Sequence, residues 1–177
     1  MTHSDMSPDI FPDVSFINSS LEQPAVQLPG YIWTDALYES AKTAVWRATE
    51  ITSGRSVVVK YLCQEYPSFN ELLQFRNQYT ITKNLSIPGI VKPLGLEPFG
   101  NSYALIMEDV GGISLSQYVQ QQALDLVEVL AIGIQLSEML QHLHQQRVIH
   151  KDIKPANILI HPDSKRVSLI DISVASQ

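Results

Sequence analysis

A polar segment, residues 150–157, lies between two strongly apolar stretches and constrains the fold more than any other part of the chain. Before it, apolar residues recur at three- and four-residue steps, which predicts an amphipathic helix over residues 126–143. After it, Ile158–Ile160 predicts a short buried strand, and residues 167–170 predict another. We therefore expect a polar loop that joins a long helix to a pair of strands. The apolar positions of the helix are Leu126, Val129, Leu130, Leu136, Met139, Leu140 and Leu143.

This loop has the sequence HKDIKPAN and resembles the catalytic loop of protein kinases, H-R-D-x-x-x-x-N. The resemblance implies that Asp152 lies near the hydroxyl that accepts the phosphoryl group, and that Asn157 reaches a magnesium ion. It also implies that Lys154 neutralises charge on the transferred group. The D-x-K-P-x-N pattern is similar to that of Ser/Thr kinases rather than Tyr kinases. The alternative is a polar loop with a helix-stopping proline.

Asp171 follows the predicted strand 167–170, where protein kinases have the magnesium-binding aspartate of the D-F-G motif. The resemblance implies that Asp171 coordinates Mg²⁺ through a carboxylate oxygen. Ile172 can fill the apolar pocket expected beside it. Ser173 replaces the glycine of the motif and lacks glycine's freedom at positive φ. The alternative for an aspartate at the end of a strand is a cap or turn residue.

The apolar run VVVK at residues 57–60 resembles the V-A-I-K strand of protein kinases. The resemblance implies that Lys60 holds the α- and β-phosphates of ATP, and that Val58 lies against adenine in a tighter base pocket. The family's glutamate partner for the lysine is replaced by Gln78, which can accept a hydrogen bond from Lys60 without the charge-assisted contribution. Glu71 is an alternative partner, and a surface lysine is the alternative role for Lys60.

The glycine-rich loop of the family is degenerate in this chain. Aligned on Val45, its three glycine positions hold Tyr38, Ser40 and Thr43. Glycines let backbone N–H groups approach phosphate closely, so we expect a stiffer lid that fits the nucleotide loosely. Side chains of Ser40, Thr43 and Lys42 could compensate by contacting phosphate. The alternative is an ordinary hairpin tip.

Residues 104–112 resemble the strand and hinge that join the two lobes of a protein kinase. The resemblance implies that Met107 is the gatekeeper residue and that the backbones of Glu108 and Val110 hydrogen-bond adenine. The alternative is a core strand. Within the family, residues 38–115 are most similar to the N-terminal kinase-like module of large cyanobacterial multi-sensor proteins.

The order of predicted elements implies an α+β, protein-kinase-like fold: a five-stranded antiparallel N-lobe with one helix, and an incomplete helical C-lobe. We expect a flexible leader over residues 1–29, the N-lobe over 30–110 and the start of the C-lobe over 111–177. The predicted strands are 31–37, 44–49, 56–62, 90–96, 102–108, 158–160 and 167–170, and the predicted helices are 68–85, 114–122 and 126–143.

Composition excludes several classes of function. A formal net charge of -6 lacks the basic field that nucleic-acid binding needs. The single cysteine, Cys63, excludes an intramolecular disulfide and a cysteine-based metal site. The sequence has no secretory signal pattern and no continuous apolar run long enough for a membrane span, so we expect a cytoplasmic protein.

Three functions compete at this stage. The first is a Ser/Thr protein kinase domain that uses ATP and Mg²⁺ on a protein substrate of unknown identity. The second is a kinase-like module that binds nucleotide and signals through contacts, and the third is an inert fragment. Because the chain ends soon after Asp171, we expect a truncated domain with little or no phosphotransfer. We also expect self-association through the exposed side of helix 126–143, and downstream signalling domains in any longer parent.

Overall fold

The computed structural model describes residue 24 and residues 26–172. Within these residues, the chain forms a five-stranded sheet, three α-helices and a three-stranded sheet. The elements are β1 (Tyr31–Glu39), β2 (Thr43–Glu50), β3 (Ser56–Leu62), α1 (Phe69–Thr82), β4 (Pro93–Phe99), β5 (Ser102–Glu108), β6 (Ile113–Ser114), α2 (Leu115–Gln121), α3 (Leu126–Gln145), a 3₁₀ turn (Pro155–Asn157), β7 (Ile158–Ile160) and β8 (Val167–Leu169).

The first sheet is antiparallel throughout, with strand order β1-β2-β3-β5-β4. Side chains of a strand alternate between its two faces, and one face of this sheet carries a buried apolar cluster. In this cluster Trp33 packs edge-on against Trp46 and Phe99, with ring centroids 6.2 Å apart in each pair. The prediction of a five-stranded antiparallel N-lobe with one helix is confirmed.

Helix α1 crosses the other face of the sheet. Ser68 caps its first turn, because its hydroxyl accepts from the Glu71 backbone N–H while the Glu71 carboxylate accepts from Ser68. Phe75 anchors the helix in an apolar cluster with Leu105 and Met107 of β5. The predicted end at residue 85 is wrong, since the helix ends at Thr82 and Leu85 packs in the core of the second lobe.

The predicted strand 90–96 lies three residues too early, because the chain just before β4 pairs with the second lobe. Leu169 of β8 donates its backbone N–H to the Gly89 carbonyl at 2.7 Å and accepts from the Val91 N–H at 3.1 Å. Gly89 has φ +84°, and a side chain there would meet Met139 of α3. This bridge joins the lobes next to the strand that leads to Asp171.

The second lobe packs α3 against the small sheet β6-β7-β8. Ile132, Met139 and Leu143 are the buried positions of α3. The predicted apolar stripe is only partly buried, since Leu126 and Leu130 remain exposed. By length and composition α3 is apolar enough to cross a membrane, which the sequence analysis did not predict. Mostly buried core helices share this property, but only 17% of the apolar window of α3 is buried.

The remaining boundary differences are small. β1 and β2 extend beyond the predicted strands, α3 ends at Gln145 rather than at residue 143, and β8 ends at Leu169. β6 was not predicted. Most of the expected leader lies outside the described residues, but Leu28 within it is buried in the cluster around Trp33. The division into these three segments stays a prediction.

Candidate active site

The face of the first sheet that lies opposite the Trp33 cluster carries the predicted nucleotide-binding side chains. The cleft is the space between this face and the second lobe. Val45 lies opposite Lys60 across β2 and β3, and Val58 lies opposite Met107 across β3 and β5. Paired residues of antiparallel strands point to the same face, so these four side chains line one surface. Val58 and Met107 also contact the apolar cluster around Phe75. This face of the sheet therefore combines an apolar surface, formed by Val45, Val58 and Met107, with the side chain of Lys60.

Lys60 and Asp171 form an ion pair between the two lobes. The Lys60 Nζ lies 2.5 Å from the Asp171 Oδ1. The Lys60 side chain is 13% exposed and the Asp171 side chain 31%, so the pair is partly shielded from solvent. Asp171 has φ +57°, an uncommon conformation for residues other than glycine, and turns its carboxylate toward β3. The structure thus brings together two residues that the sequence analysis assigned to phosphate and metal.

Gln78 of α1 binds Asp171 rather than taking the role expected with Lys60. Its Nε2 donates to the Asp171 Oδ1 at 2.9 Å. Burial alone raises the pKa of Asp171, but the charge and hydrogen bond of Lys60 and the amide of Gln78 outweigh it and lower the pKa below its ordinary value. A glutamate at position 78 would place a second carboxylate against Asp171. The amide is therefore suited to this arrangement.

The catalytic-loop residues form a second polar group around Asp152. The Asn157 Nδ2 donates to the Asp152 Oδ2 at 2.8 Å and to its backbone carbonyl at 2.9 Å. The Lys154 Nζ lies 2.8 Å from the same Oδ2. The hydrogen bond from Lys154 is the main cause that lowers the pKa of Asp152. Asp152 is thus an ionised, half-exposed carboxylate at neutral pH.

His150 joins the loop to the strand that precedes Asp171. Its ring is 1% exposed, and its Nε2 lies 2.9 Å from the Ile170 carbonyl. The Ile170 N–H donates to the Asn157 carbonyl at 3.1 Å. His150 belongs to the matched motif, but its role in connecting these two segments was not predicted. Ile172 is 2% exposed in the core, as expected, and Ser173 lies outside the described residues.

The side-chain oxygens of Asn157 and Asp171 are of the type that Mg²⁺ prefers as ligands. In the part of the chain that the structure describes, Lys60 and Gln78 donate to the Asp171 carboxylate, and both hydrogen bonds fall on Oδ1, so that Oδ2 is available to a cation. The Asn157 amide nitrogen is engaged by Asp152, which leaves its oxygen for the same purpose. Among the described residues, no group of three His, Cys, Asp or Glu could hold a metal. Two protein oxygens suit Mg²⁺, which commonly completes its shell with water and phosphate.

The tip between β1 and β2 holds the residues expected to replace the glycine-rich loop. The Ser40 hydroxyl donates to the Thr43 carbonyl at 3.1 Å and accepts from the Thr43 N–H at 3.1 Å. It also accepts from the Lys42 N–H at 3.3 Å. The Lys42 side chain lies 3.8 Å from Glu71 of α1. Ser40 therefore closes the turn, and its hydroxyl would have to leave these partners to reach a phosphate.

The hinge after β5 is fixed by carboxylates. The Glu108 Oε1 accepts from the Lys92 backbone N–H at 2.9 Å, and Val110 packs in the cluster around Phe75. Between them, Asp109 is bound by Arg47 of β2. Neither Arg47 nor Asp109 is among the residues that the sequence patterns single out. The alternation of side chains along β2 could have indicated Arg47, because it puts Arg47 on the same face of the sheet as Val45.

Comparison with known proteins shows which family the chain resembles. A family model described as "Protein kinase domain" matches residues 39–177. The serine/threonine-protein kinase PrkC of Bacillus subtilis is 34% identical over 134 residues, 74% of this chain and 21% of that protein. The serine/threonine-protein kinase PknA of Mycobacterium tuberculosis is 34% identical over 138 residues, 74% of this chain and 32% of that protein. The chain thus spans about a fifth to a third of these relatives.

A solved structure is similar in fold. The crystal structure of the Mycobacterium tuberculosis PknI kinase domain superposes with a TM-score of 0.70 at 24% identity, and the match covers 92% of this chain and 65% of that chain. These relatives do not support the narrower likeness to cyanobacterial multi-sensor modules. Since the family model covers most of the chain, the chain belongs to the protein kinase family, and the curated relatives that it resembles are serine/threonine-protein kinases.

Proposed function

We propose that this chain binds ATP and Mg²⁺ in the cleft below β3 and acts in phosphoryl transfer to a serine or threonine hydroxyl of a protein. The observation that carries the proposal is the pairing of Lys60 with Asp171 beside the group formed by Asp152, Lys154 and Asn157. The two ion pairs are neighbours, since the Ile170 N–H before Asp171 donates to the Asn157 carbonyl and the charge of Lys154 acts on Asp171. Two cations and two carboxylates in this arrangement suit a triphosphate and its metal.

The proposed mechanism gives each residue of the site one role. Lys60 binds phosphate oxygens, and Asp171 and Asn157 supply oxygen ligands to magnesium, which when bound neutralises phosphate charge. Asp152 orients the acceptor hydroxyl and accepts its proton, since its lowered pKa keeps it ionised. Lys154, bound to the same carboxylate, lies where it can neutralise charge on the transferred group.

The adenine base of ATP would lie between the apolar face of the first sheet and the hinge. Val45 and Val58 supply the apolar surface, and Met107 limits its depth. The backbone carbonyl of Glu108 and the N–H of Val110 provide the hydrogen bonds for adenine. Ser40 and Thr43 contribute to phosphate binding only if the turn that they close opens.

The test is an ATP titration of the chain with and without Mg²⁺. We expect Lys60→Ala to weaken ATP binding about tenfold or more, because a charge-assisted contact to phosphate is lost. Lys92→Ala is the matched control, since Lys92 is exposed and its described contacts are made by its backbone. Equal ATP affinity in the Lys60 and Lys92 variants would contradict the assignment of Lys60.

A second candidate is a nucleotide-binding module that signals through contacts with little phosphotransfer. The engaged Ser40 hydroxyl favours it, because a closed tip offers fewer groups to phosphate. Labelled ATP with generic Ser/Thr substrates separates the two candidates. Binding of Mg²⁺ and ATP with measurable transfer supports the kinase, and binding without transfer supports the module.

A cytoplasmic location, self-association through α3 and further signalling domains in a longer protein stay predictions.

A further inference from the structure

The Asp109 cluster, defined here as Asp35, Arg47, Ser56 and Asp109, ties the hinge to the first three strands. The Asp109 Oδ2 accepts from the Arg47 Nε and from the Ser56 hydroxyl, both at 2.7 Å. Its Oδ1 accepts from the Gly111 N–H at 3.0 Å. Asp35 of β1 continues the group, 3.4 Å from an Arg47 guanidinium nitrogen. Three donors from three segments therefore converge on one hinge carboxylate.

The carboxylate at the centre of this cluster is largely shielded from water, whereas Asp35 and Ser56 at its edge are exposed. The Asp109 side chain is 11% exposed and the Arg47 side chain 31%. Arg47 lies opposite Val58 in the β2–β3 pairing, so both point to the cleft-facing side of the sheet. Hydrogen bonds to a charged group that is largely removed from water are among the stronger polar contacts in proteins. They resist any displacement of the hinge backbone.

Asp109 lies between Glu108 and Val110, whose backbone groups are proposed above to hydrogen-bond adenine. A hinge that offers the Glu108 carbonyl and the Val110 N–H presents an acceptor followed by a donor. The adenine edge carries an amino donor and a ring-nitrogen acceptor, which match this order. Guanine carries a carbonyl acceptor and an N–H donor at the corresponding positions, which reverse it. Guanine therefore needs a rearranged hinge.

We propose that the Asp109 cluster makes the site selective for adenine over guanine nucleotides by holding the hinge backbone in one register. The inference rests on the proposed function, since it takes the cleft to bind ATP. A site with fixed hydrogen-bonding groups rejects a ligand whose donors and acceptors are reversed, because the groups on both sides then lose their partners. Arg47, Ser56 and Asp109 are positioning residues in this scheme.

The experiment measures the dissociation constants of ATP and GTP in the presence of Mg²⁺ for the chain and its variants. We expect Asp109→Asn to lower the ratio of the GTP dissociation constant to the ATP dissociation constant by roughly tenfold. This factor corresponds to the free energy of one charge-assisted hydrogen bond. Arg47→Leu should act in the same direction, and Ser56→Ala more weakly. The control is Arg55→Leu, which removes a similar cation from an exposed pair with Glu50 at 3.7 Å.

The outcomes separate the inference from the proposed function. An unchanged ratio in variants that still bind ATP overturns the role of the cluster and leaves ATP binding intact. Failure of the unaltered chain to bind ATP overturns both. A purely structural cluster would lower the urea midpoint of unfolding and leave the ratio unchanged. If Asp109→Asn does not fold, the milder Ser56→Ala and Arg47→Lys variants carry the test, and a shift in ratio supports the proposal.

Discussion

Replacing Gln78 tests the unexpected contact between α1 and Asp171. Gln78→Met keeps the length and helix propensity of the side chain but removes the amide that donates to the Asp171 Oδ1 at 2.9 Å. A hydrogen bond to a charged group contributes about 1.5–3 kcal/mol. The Asp171 side chain is 31% exposed, so water recovers part of this. We therefore expect the free energy of unfolding to fall by about 1–2 kcal/mol.

The assay is urea unfolding at neutral and acidic pH, with Gln74→Met as the matched control. Gln74 lies one turn earlier on α1 and is exposed, so the same substitution there should change the free energy of unfolding by less than about 0.5 kcal/mol. The pKa of Asp171 is lowered in the folded protein, so its contacts stabilise above the ordinary carboxyl pKa. This stability is lost as pH falls through the folded pKa. Removing the amide raises that pKa, so the difference between variant and parent should be largest at neutral pH and shrink in acid.

Two results would refute this reasoning. Equal stability of the Gln78 and Gln74 variants at neutral pH would show that the amide contributes nothing through Asp171. A destabilisation that is the same at neutral and acidic pH would assign the loss to packing, because a packing defect does not depend on the charge of a carboxylate.

Three further predictions concern the core, the chemistry and the surface. Leu143→Ala should lower the free energy of unfolding by about 2–5 kcal/mol in urea, because Leu143 is fully buried and its removal leaves a cavity; a loss under about 1 kcal/mol would contradict this. In a longer chain that contains a complete kinase domain, Asp152→Asn should reduce phosphotransfer roughly 10²–10⁴-fold while ATP affinity is retained, and equal turnover would remove Asp152 from the mechanism. Leu130→Gln with Ile134→Gln should reduce self-association in sizing chromatography, since both side chains are more than half exposed; an unchanged elution profile would count against α3 as the contact.

Features encoded by neighbouring residues were predictable from the sequence. The strand predicted around the run VVVK is β3 with its observed boundaries. The prediction succeeded because β-branched residues favour strands, and this preference depends on neighbouring residues only. The loop over residues 150–157 was predictable for the same reason. Asp152, Lys154 and Asn157 lie close in sequence, so a fixed loop brings their side chains together with little help from the rest of the chain.

Contacts between distant segments were decided by the tertiary structure. Gln78 and Asp171 are separated by 93 positions, and Arg47 and Asp109 by 62, so local patterns carry no information on which donor meets which carboxylate. β4 begins later than predicted for a similar reason, because the residues before it pair with Leu169 of the other lobe. The amphipathic pattern of α3 predicted a helix but not how much of its apolar surface is covered, since burial depends on what packs against it. Sequence alone thus determined β3 and the contacts within the 150–157 loop. The packing of two lobes against each other decided which partners Asp171 and Asp109 have, because only that packing brings remote side chains within hydrogen-bonding distance.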